Sequence, residues 1–138
     1  MTVEIIGRAC LAPGANSPQA LFGILRQGKC TVTRIPSDRW DLARFWHPVI
    51  GNQGKTYSFA AGVLDSIYDF DPAAFGMSQR EAMHMDPQQR VLLQLAWRAL
   101  EDANIPIPSL HGENVGVYIG ASSLDHANLT VEDPASAA

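Results

Sequence analysis

The strongest hydrophobic pattern in the chain predicts a helix over residues 87–103. Apolar side chains recur at helical spacing and leave only a narrow polar stripe on one side. The apolar positions are Leu92, Leu93, Ala96, Ala99, Leu100 and Ala103. A helix that is apolar over most of its circumference is usually packed between other elements, so we expect this one to be largely buried.

The residues at both ends support this helix. Asp86 is a suitable N-cap, and Pro87 fits the first helical position because its missing N–H would have no partner there. Gln89 lies three residues after Asp86 and can complete a pair resembling a capping box. Asn104 is suited to a left-handed C-terminal position, and Pro106 prevents the helix from continuing.

Three shorter helical segments follow from the same signals. They begin at Ser17-Pro18, Asp71-Pro72 and Ser78, and they end near Gly28, Phe75 and His84 respectively. Ser78 and Glu81 have the spacing of a capping box, which favours the third of these helices.

Two short β-branched runs predict buried strands, at Val3–Ile6 and Val115–Ile119. Residues 30–63 contain several Pro and Gly with little periodicity and are expected to form an ordered loop on a larger body. Strands buried on both faces belong to a parallel sheet with neighbours, and two strands cannot cover the 87–103 helix. We therefore expect the opening part of a larger α/β domain that continues beyond Ala138.

Composition narrows the functional classes. The 138 residues fit one domain, and a hydrophobic share of 46% is enough for a packed core. A net charge of -4 with scattered Lys and Arg argues against nucleic-acid binding. No apolar run reaches the length of a membrane span, and the N-terminus lacks a signal-peptide pattern. Cys10 and Cys30 make no disulfide framework, which favours a cytoplasmic location.

Two motifs imitate catalytic or phosphate-binding sites. Cys10 follows a predicted strand and could be a nucleophile, but free cysteine is most often a small buried hydrophobe. Gly54-Lys55-Thr56 resembles the end of a phosphate-binding loop, but Val49 stands where that loop requires its first glycine.

Other polar clusters favour structural interpretations. Ser122, Ser123, Asp125 and His126 could suggest a hydrolase triad, but the Gly-x-Ser-x-Gly elbow is absent and a turn is favoured. The four histidines lack metal-ligand spacing, and the three aspartates lack a Ca²⁺ loop pattern, so we predict no metal site. These residues are His47, His84, His111 and His126, and Asp65, Asp69 and Asp71. An aromatic group could bind a ligand, but packing is favoured; it comprises Trp40, Phe45, Trp46 and Tyr57.

Seven motifs occur in one order along nearly the whole chain, from about Val3 to about Asn128. They are Ile5–Cys10, Pro13–Ala15, Ile35–Trp40, Gly54–Tyr57, Phe75–Ala82, Met85–Arg90 and Gly116–Ser122. This series resembles the N-terminal portion of β-ketoacyl synthase (ketosynthase) domains, specifically those of modular (type I) polyketide synthases. The chain departs from the family pattern at Leu11-Ala12, where the family often has Arg-Phe.

The resemblance implies a thiolase-like fold of layered αβαβα type, incomplete in this chain, and a homodimeric parent. It also implies an acyltransferase that performs decarboxylative Claisen condensation in polyketide or fatty acid biosynthesis. An acyl group on an active-site cysteine would react with a malonyl-type extender, which an acyl carrier protein holds on its phosphopantetheine. Two histidines assist decarboxylation in the family, and backbone N–H groups hold the oxyanion.

The residues that such chemistry needs are not found in this sequence. The family nucleophile lies in an Ala-Cys-Ser-Ser motif after the segment matching residues 120–128, and the histidines lie in His-Gly-Thr and Gly-His motifs. We therefore predict no catalytic, cofactor-binding or metal-binding residue in this chain, and Cys10 is not the family nucleophile.

The sequence leaves the role of the isolated chain open. We expect residues 1–128 to form the N-terminal segment of the synthase domain, with a poorly ordered continuation at 129–138. Such a segment would be inactive alone and would work with the remainder of the domain and a carrier protein, away from nucleic acid and membrane. The alternatives are a non-enzymatic interaction or complementing module, or a truncated remnant.

Overall fold

The computed structural model describes residues 2–123 and residue 126, so the expectation for residues 129–138 lies outside the described part of the chain. The described residues form two units. One unit is Cys10–Asp65, and the other combines residues 2–9 with residues from Ser66 onward.

The Cys10–Asp65 unit begins with helix α1, Pro18–Gln27. Ser17 caps it by accepting a bond from the Ala20 N–H at 3.2 Å, and Gly28 ends it in the left-handed region, with φ of 60°. The sequence prediction for this helix is confirmed at both ends because both caps are local in sequence.

Residues 30–63 contain regular structure, which corrects the expectation of a purely irregular loop. Strand β1 (Thr33–Arg34) pairs antiparallel with strand β2 (Ala60–Ala61), and helix α2 (Leu42–Phe45) lies between them in the chain. The pair continues beyond its formal end, since the Ile35 N–H donates to the Phe59 carbonyl at 3.0 Å. The sequence signal for a strand is an alternation of apolar and polar residues over at least four positions. A strand of two residues is too short to show it.

The second unit contains helix α3 (Gln79–His84) and helix α4 (Pro87–Asp102). Single 3₁₀ turns occur at Ala73–Phe75 and Ile107–Leu110. The predicted end of α4 is confirmed, because Asn104 has a φ of 55° and the chain then enters the proline-containing turn.

The segment Val3–Ile6 is extended but belongs to no strand, so this prediction is wrong. Its neighbour Gly7 instead lies against α4, where a Cβ would overlap the Ala99 carbonyl oxygen. The Arg8 N–H donates to the Asp102 carboxylate at 3.0 Å, which fixes the segment across the end of the helix. A strand needs a hydrogen-bonded neighbour, and the described residues supply none here.

The predicted strand Val115–Ile119 is also absent from the described structure. Tyr118 is 96% exposed and Val117 is 77% exposed. A β-branched composition reflects a preference for packing against neighbouring strands. It produces no strand here, because the described residues supply neither a hydrogen-bonded neighbour nor a layer that buries the side chains.

Burial is shallow throughout the described residues. Among residues 2–123 and 126, only Ala15, Ile35 and Ala82 are buried. No residue of α4 is buried, although its pattern predicts a largely buried helix. The helix has contacts on some sides only, so much of its apolar circumference remains accessible.

Candidate functional site

The start of α4 is a well-formed helix N-terminus. The Asp86 carboxylate accepts from the Gln88 N–H at 2.8 Å, which satisfies a donor that has no partner inside the helix. The predicted capping-box bond of the Gln89 side chain to Asp86 is not formed, although the Gln89 N–H donates to the Asp86 carbonyl at 2.9 Å. The second contact to the Asp86 carboxylate is a long one, 3.5 Å, from the Gln88 side-chain amide. The motif Met85–Arg90 therefore has a structural role that its own geometry explains.

Helix α4 organises its unit through an aromatic cluster. The Phe75 ring stacks on Phe70 at 5.1 Å and meets the edge of Trp97 at 5.4 Å between ring centroids. Trp97 donates its indole N–H to Glu101 at 2.9 Å, one helical turn further along. The Gln94 amide donates to the Asp69 carbonyl at 2.7 Å, which ties the preceding loop to the helix. These contacts position backbone and rings, and they do not place a nucleophile next to a base.

The two cysteines lie in different surroundings. Both are free, Cys10 is partly exposed and Cys30 is exposed. Cys10 is therefore less buried than the prediction of a small buried hydrophobe. Among the described residues, neither thiol has a histidine or carboxylate partner of the kind that activates a catalytic cysteine.

The Gly54-Lys55-Thr56 motif does not form a phosphate loop. The Lys55 ammonium donates to the Arg44 carbonyl near the end of α2, and the Thr56 N–H donates to the Phe45 carbonyl at 2.8 Å. These bonds use the groups that a phosphate would need.

The remaining polar clusters are described only in part. Asp71 accepts from the Ala73 N–H at 3.0 Å and so caps a turn, as predicted for this group of aspartates. Asp125, a member of the possible hydrolase triad, lies outside the described residues. No group of three potential metal ligands occurs in the described part of the chain. Every helix described is too short or too polar to span a bilayer.

The aromatic residues of the Cys10–Asp65 unit pack largely on one another. Trp40 meets Phe45 edge-on at 6.0 Å, and Trp46 meets Phe59 edge-on at 6.4 Å. The Trp46 indole N–H donates to the Tyr57 carbonyl at 3.1 Å. The sequence favours packing of this group onto the parent domain, and that stays a prediction. Phe59 was not part of the predicted group, because it lies next to the two-residue strand β2, where no periodic pattern marks it.

Helix capping at the start of α3 changes the pKa of Glu81. Glu81 accepts bonds from the Ser78 N–H at 2.8 Å and the Ser78 hydroxyl at 2.9 Å, and these bonds lower the pKa of Glu81 below its ordinary value of 4.5. Ser78 in turn accepts from the Glu81 N–H at 3.2 Å, which completes the predicted capping box. The shift therefore reflects helix capping and not catalysis.

The chain matches the family described as Beta-ketoacyl synthase, N-terminal domain, over residues 1–137. It belongs to the β-ketoacyl synthase family. The matched range includes the α4 motif and both extended apolar segments.

Similar proteins agree with this assignment. Erythronolide synthase EryA2 of Saccharopolyspora erythraea is 43% identical over 130 residues, which cover 93% of this chain and 4% of that protein. A solved oxazolomycin ketosynthase domain, OzmH KS7 of Streptomyces albus JA3453, is 43% identical with a TM-score of 0.67. A ketosynthase from module 6 of the bacillaene synthase of Bacillus subtilis 168 is 32% identical with a TM-score of 0.66.

These solved ketosynthases confirm the predicted fold class. They cover 71% and 75% of this chain, while this chain covers 17% of each of them. The ketosynthase segment therefore has part of a thiolase-like fold, and it is the N-terminal ketosynthase portion of a modular polyketide synthase.

Proposed function

We propose that this ketosynthase segment is part of an enzyme that joins acyl units by decarboxylative Claisen condensation. The acyl group would be held as a thioester on a cysteine, and carbon dioxide would leave the malonyl-type extender as the new carbon–carbon bond forms. The observation that carries the proposal is the family match over residues 1–137. Both units contribute motifs of the resemblance, so the proposal rests on more than α4.

Within that enzyme, the proposed role of these 138 residues is to provide scaffold. Residues 1–128 would form the N-terminal part of the synthase domain and contribute no nucleophile, cofactor ligand or metal ligand. Arg8 and Asp102 on one side of α4, and Gln94 with Asp69 on another, support this role because they hold backbone in place.

The partners follow from the proposed reaction. The segment would work with the remainder of its domain, with a second copy of that domain as a homodimer, and with an acyl carrier protein. The carrier protein would supply substrates on its phosphopantetheine arm, and the whole enzyme would act in the cytoplasm. Two free cysteines support a reducing compartment.

A segment exchange tests the scaffold role. The matching N-terminal portion of the solved oxazolomycin ketosynthase would be replaced by this chain, and condensation of acyl and malonyl thioesters would be measured. We expect the chimera to retain condensation, and a chimera without the host's nucleophilic cysteine to lose it. A folded, dimeric chimera without condensation would contradict the proposal.

A second candidate function is that of a non-enzymatic complementing module. Ile5 is 87% exposed and Tyr118 is 96% exposed, and both lie in extended segments with apolar side chains. Such segments favour pairing with a separate partner or another copy. The chimera distinguishes the two functions, because a module that acts only by association would not support condensation in the host.

A further inference from the structure

A groove lies beside β1 and α2 in the Cys10–Asp65 unit. Its volume is about 370 Å³, and its lining residues are Arg34, Leu42, Ala43, Trp46 and Phe59. We call it the Arg34 groove. A second groove of about 710 Å³ shares Arg34, Leu42 and Ala43 with it, so the two grooves are neighbours at the start of α2.

Arg34 is the charged residue of the Arg34 groove. Its guanidinium has no hydrogen bond or ion pair among the described residues. The larger groove also contains Asp41, whose carboxylate caps α2 by accepting from the Arg44 N–H at 3.1 Å and makes no ion pair with Arg34. A free guanidinium next to two aromatic rings is suited to a planar carboxylate, because it can donate two parallel hydrogen bonds.

Two aromatic rings, Trp46 and Phe59, give the Arg34 groove an apolar wall. Trp46 is 39% exposed and Phe59 is 55% exposed, although the two rings meet edge-on. The Trp46 indole N–H bond to Tyr57 holds that ring in one orientation. Aromatic and arginine side chains in a pre-formed pocket are typical of the residues that dominate binding energy at protein interfaces.

Charge is distributed unevenly along the chain. Residues 10–65 contain six basic and three acidic residues, a formal charge of +3, whereas the whole chain is -4. The basic residues are Arg26, Lys29, Arg34, Arg39, Arg44 and Lys55, and the acidic residues are Asp38, Asp41 and Asp65. The unit that contains the groove would therefore attract an acidic partner, whereas the remainder of the chain would repel one.

We propose that the Arg34 groove binds an acidic peptide segment of a partner protein, with a carboxylate on Arg34 and a neighbouring apolar side chain against the exposed faces of Trp46 and Phe59. The neighbouring larger groove gives additional concave surface beside α2, which favours a peptide over a small anion. Peptide binding at the Arg34 groove uses no step of the condensation reaction, so it goes beyond the proposed function and does not depend on it.

The experiment measures peptide binding to the full 138-residue chain by fluorescence anisotropy. The probe is a fluorescein-labelled, amidated ten-residue peptide of Asp, Leu and Gly with two Asp-Leu pairs. One control peptide replaces each Asp with Lys, and another replaces each Leu with Gly. We expect the Asp-Leu peptide to bind at least tenfold more tightly than either control, and added NaCl to weaken it.

Variants locate the binding. Arg34→Glu and Arg34→Gln should each lower affinity about tenfold or more, and Phe59→Ala should lower it as well. Lys29→Glu is the matched control, since it makes the same charge change in the same unit outside the groove. Far-UV circular dichroism of each variant establishes that the fold is retained, and Arg34→Gln provides the gentler substitution if Arg34→Glu unfolds.

Three results would overturn the proposal. The Lys-containing peptide could bind as tightly as the Asp-containing one, which would indicate apolar adhesion. Lys29→Glu could reduce affinity as much as Arg34→Glu, which would indicate attraction by overall charge. A folded Arg34→Gln chain with unchanged affinity would remove Arg34 from the site.

Discussion

At the residue scale, Gly7 shows how a single position fixes a long-range contact. It lies where the N-terminal segment crosses α4, and a Cβ there would stand 2.7 Å from the Ala103 Cβ as well as overlapping the Ala99 carbonyl oxygen. The sequence identified Gly7 as the end of a strand, but its spatial neighbour is nearly a hundred residues away. No local pattern could reveal that contact, because hydrophobic periodicity describes only the residues within one stretch of sequence.

Gly7→Ala should destabilise the packing of this segment on α4. The added methyl group has no space, and such overpacking typically costs about 1–3 kcal/mol. Urea unfolding followed by circular dichroism measures the change. Gly23→Ala is the control, since its Cβ would meet nothing within 4 Å and alanine is favoured inside a helix. Equal unfolding midpoints for Gly7→Ala and the unmodified chain would contradict the close packing.

Glu81 gives a pH prediction. Because its pKa is lowered in the folded chain, the capping box contributes stability above the ordinary value of 4.5, and this contribution is lost as pH falls through the lowered pKa. An NMR titration of the Ser78 amide should show this loss below pH 4.5. Glu81→Gln should abolish the transition, and a Ser78 amide that titrates identically in both chains would count against the assigned cause.

At the element scale, helix ends were predictable and helix partners were not. Ser17, Ser78 and Asp86 all cap helices as predicted, because capping depends on residues within one turn. The error at Gln89 has a geometric reason: Asp86 accepts from the Gln88 N–H, one residue before the position that a capping box uses. Sequence spacing permits both arrangements, and side-chain torsion selects one.

This difference can be tested at the start of α4. Asp86→Ala should reduce the free energy of unfolding by about 1 kcal/mol, since it leaves the Gln88 N–H without its side-chain acceptor. Gln89→Ala should change it by less than about 0.5 kcal/mol, because the predicted reciprocal bond is not formed. Urea unfolding of both variants provides the comparison, and a larger loss for Gln89→Ala would reinstate the capping box.

At the scale of the whole molecule, the sequence predicts more buried apolar segments than the described residues bury. Val3–Ile6 and Val115–Ile119 have the composition of buried strands and yet are exposed and unpaired. The sequence signal for these segments reflects the layered fold of the family, whereas this chain covers 17% of a solved ketosynthase. The fold class was predictable from ordered motifs, but strand pairing depends on non-local neighbours.

The exposed segments should promote association. Replacing both Ile5 and Tyr118 with Lys should lower the binding of the dye ANS and reduce self-association in sedimentation velocity, since charges remove the apolar contact surface. Lys substitution of Asn52 and Gln53 provides a control at polar positions. An unchanged sedimentation profile for the Ile5 and Tyr118 variant would mean that these segments do not drive association.

We propose that the chain supplies ketosynthase scaffold without the nucleophile. Intact-mass spectrometry after incubation with an acyl N-acetylcysteamine thioester tests it most directly, with Cys10→Ser and Cys30→Ser chains as controls. We predict no acylation beyond the slow, unselective labelling of an exposed thiol. Rapid stoichiometric acylation that Cys10→Ser abolishes would make Cys10 a catalytic nucleophile and contradict the account.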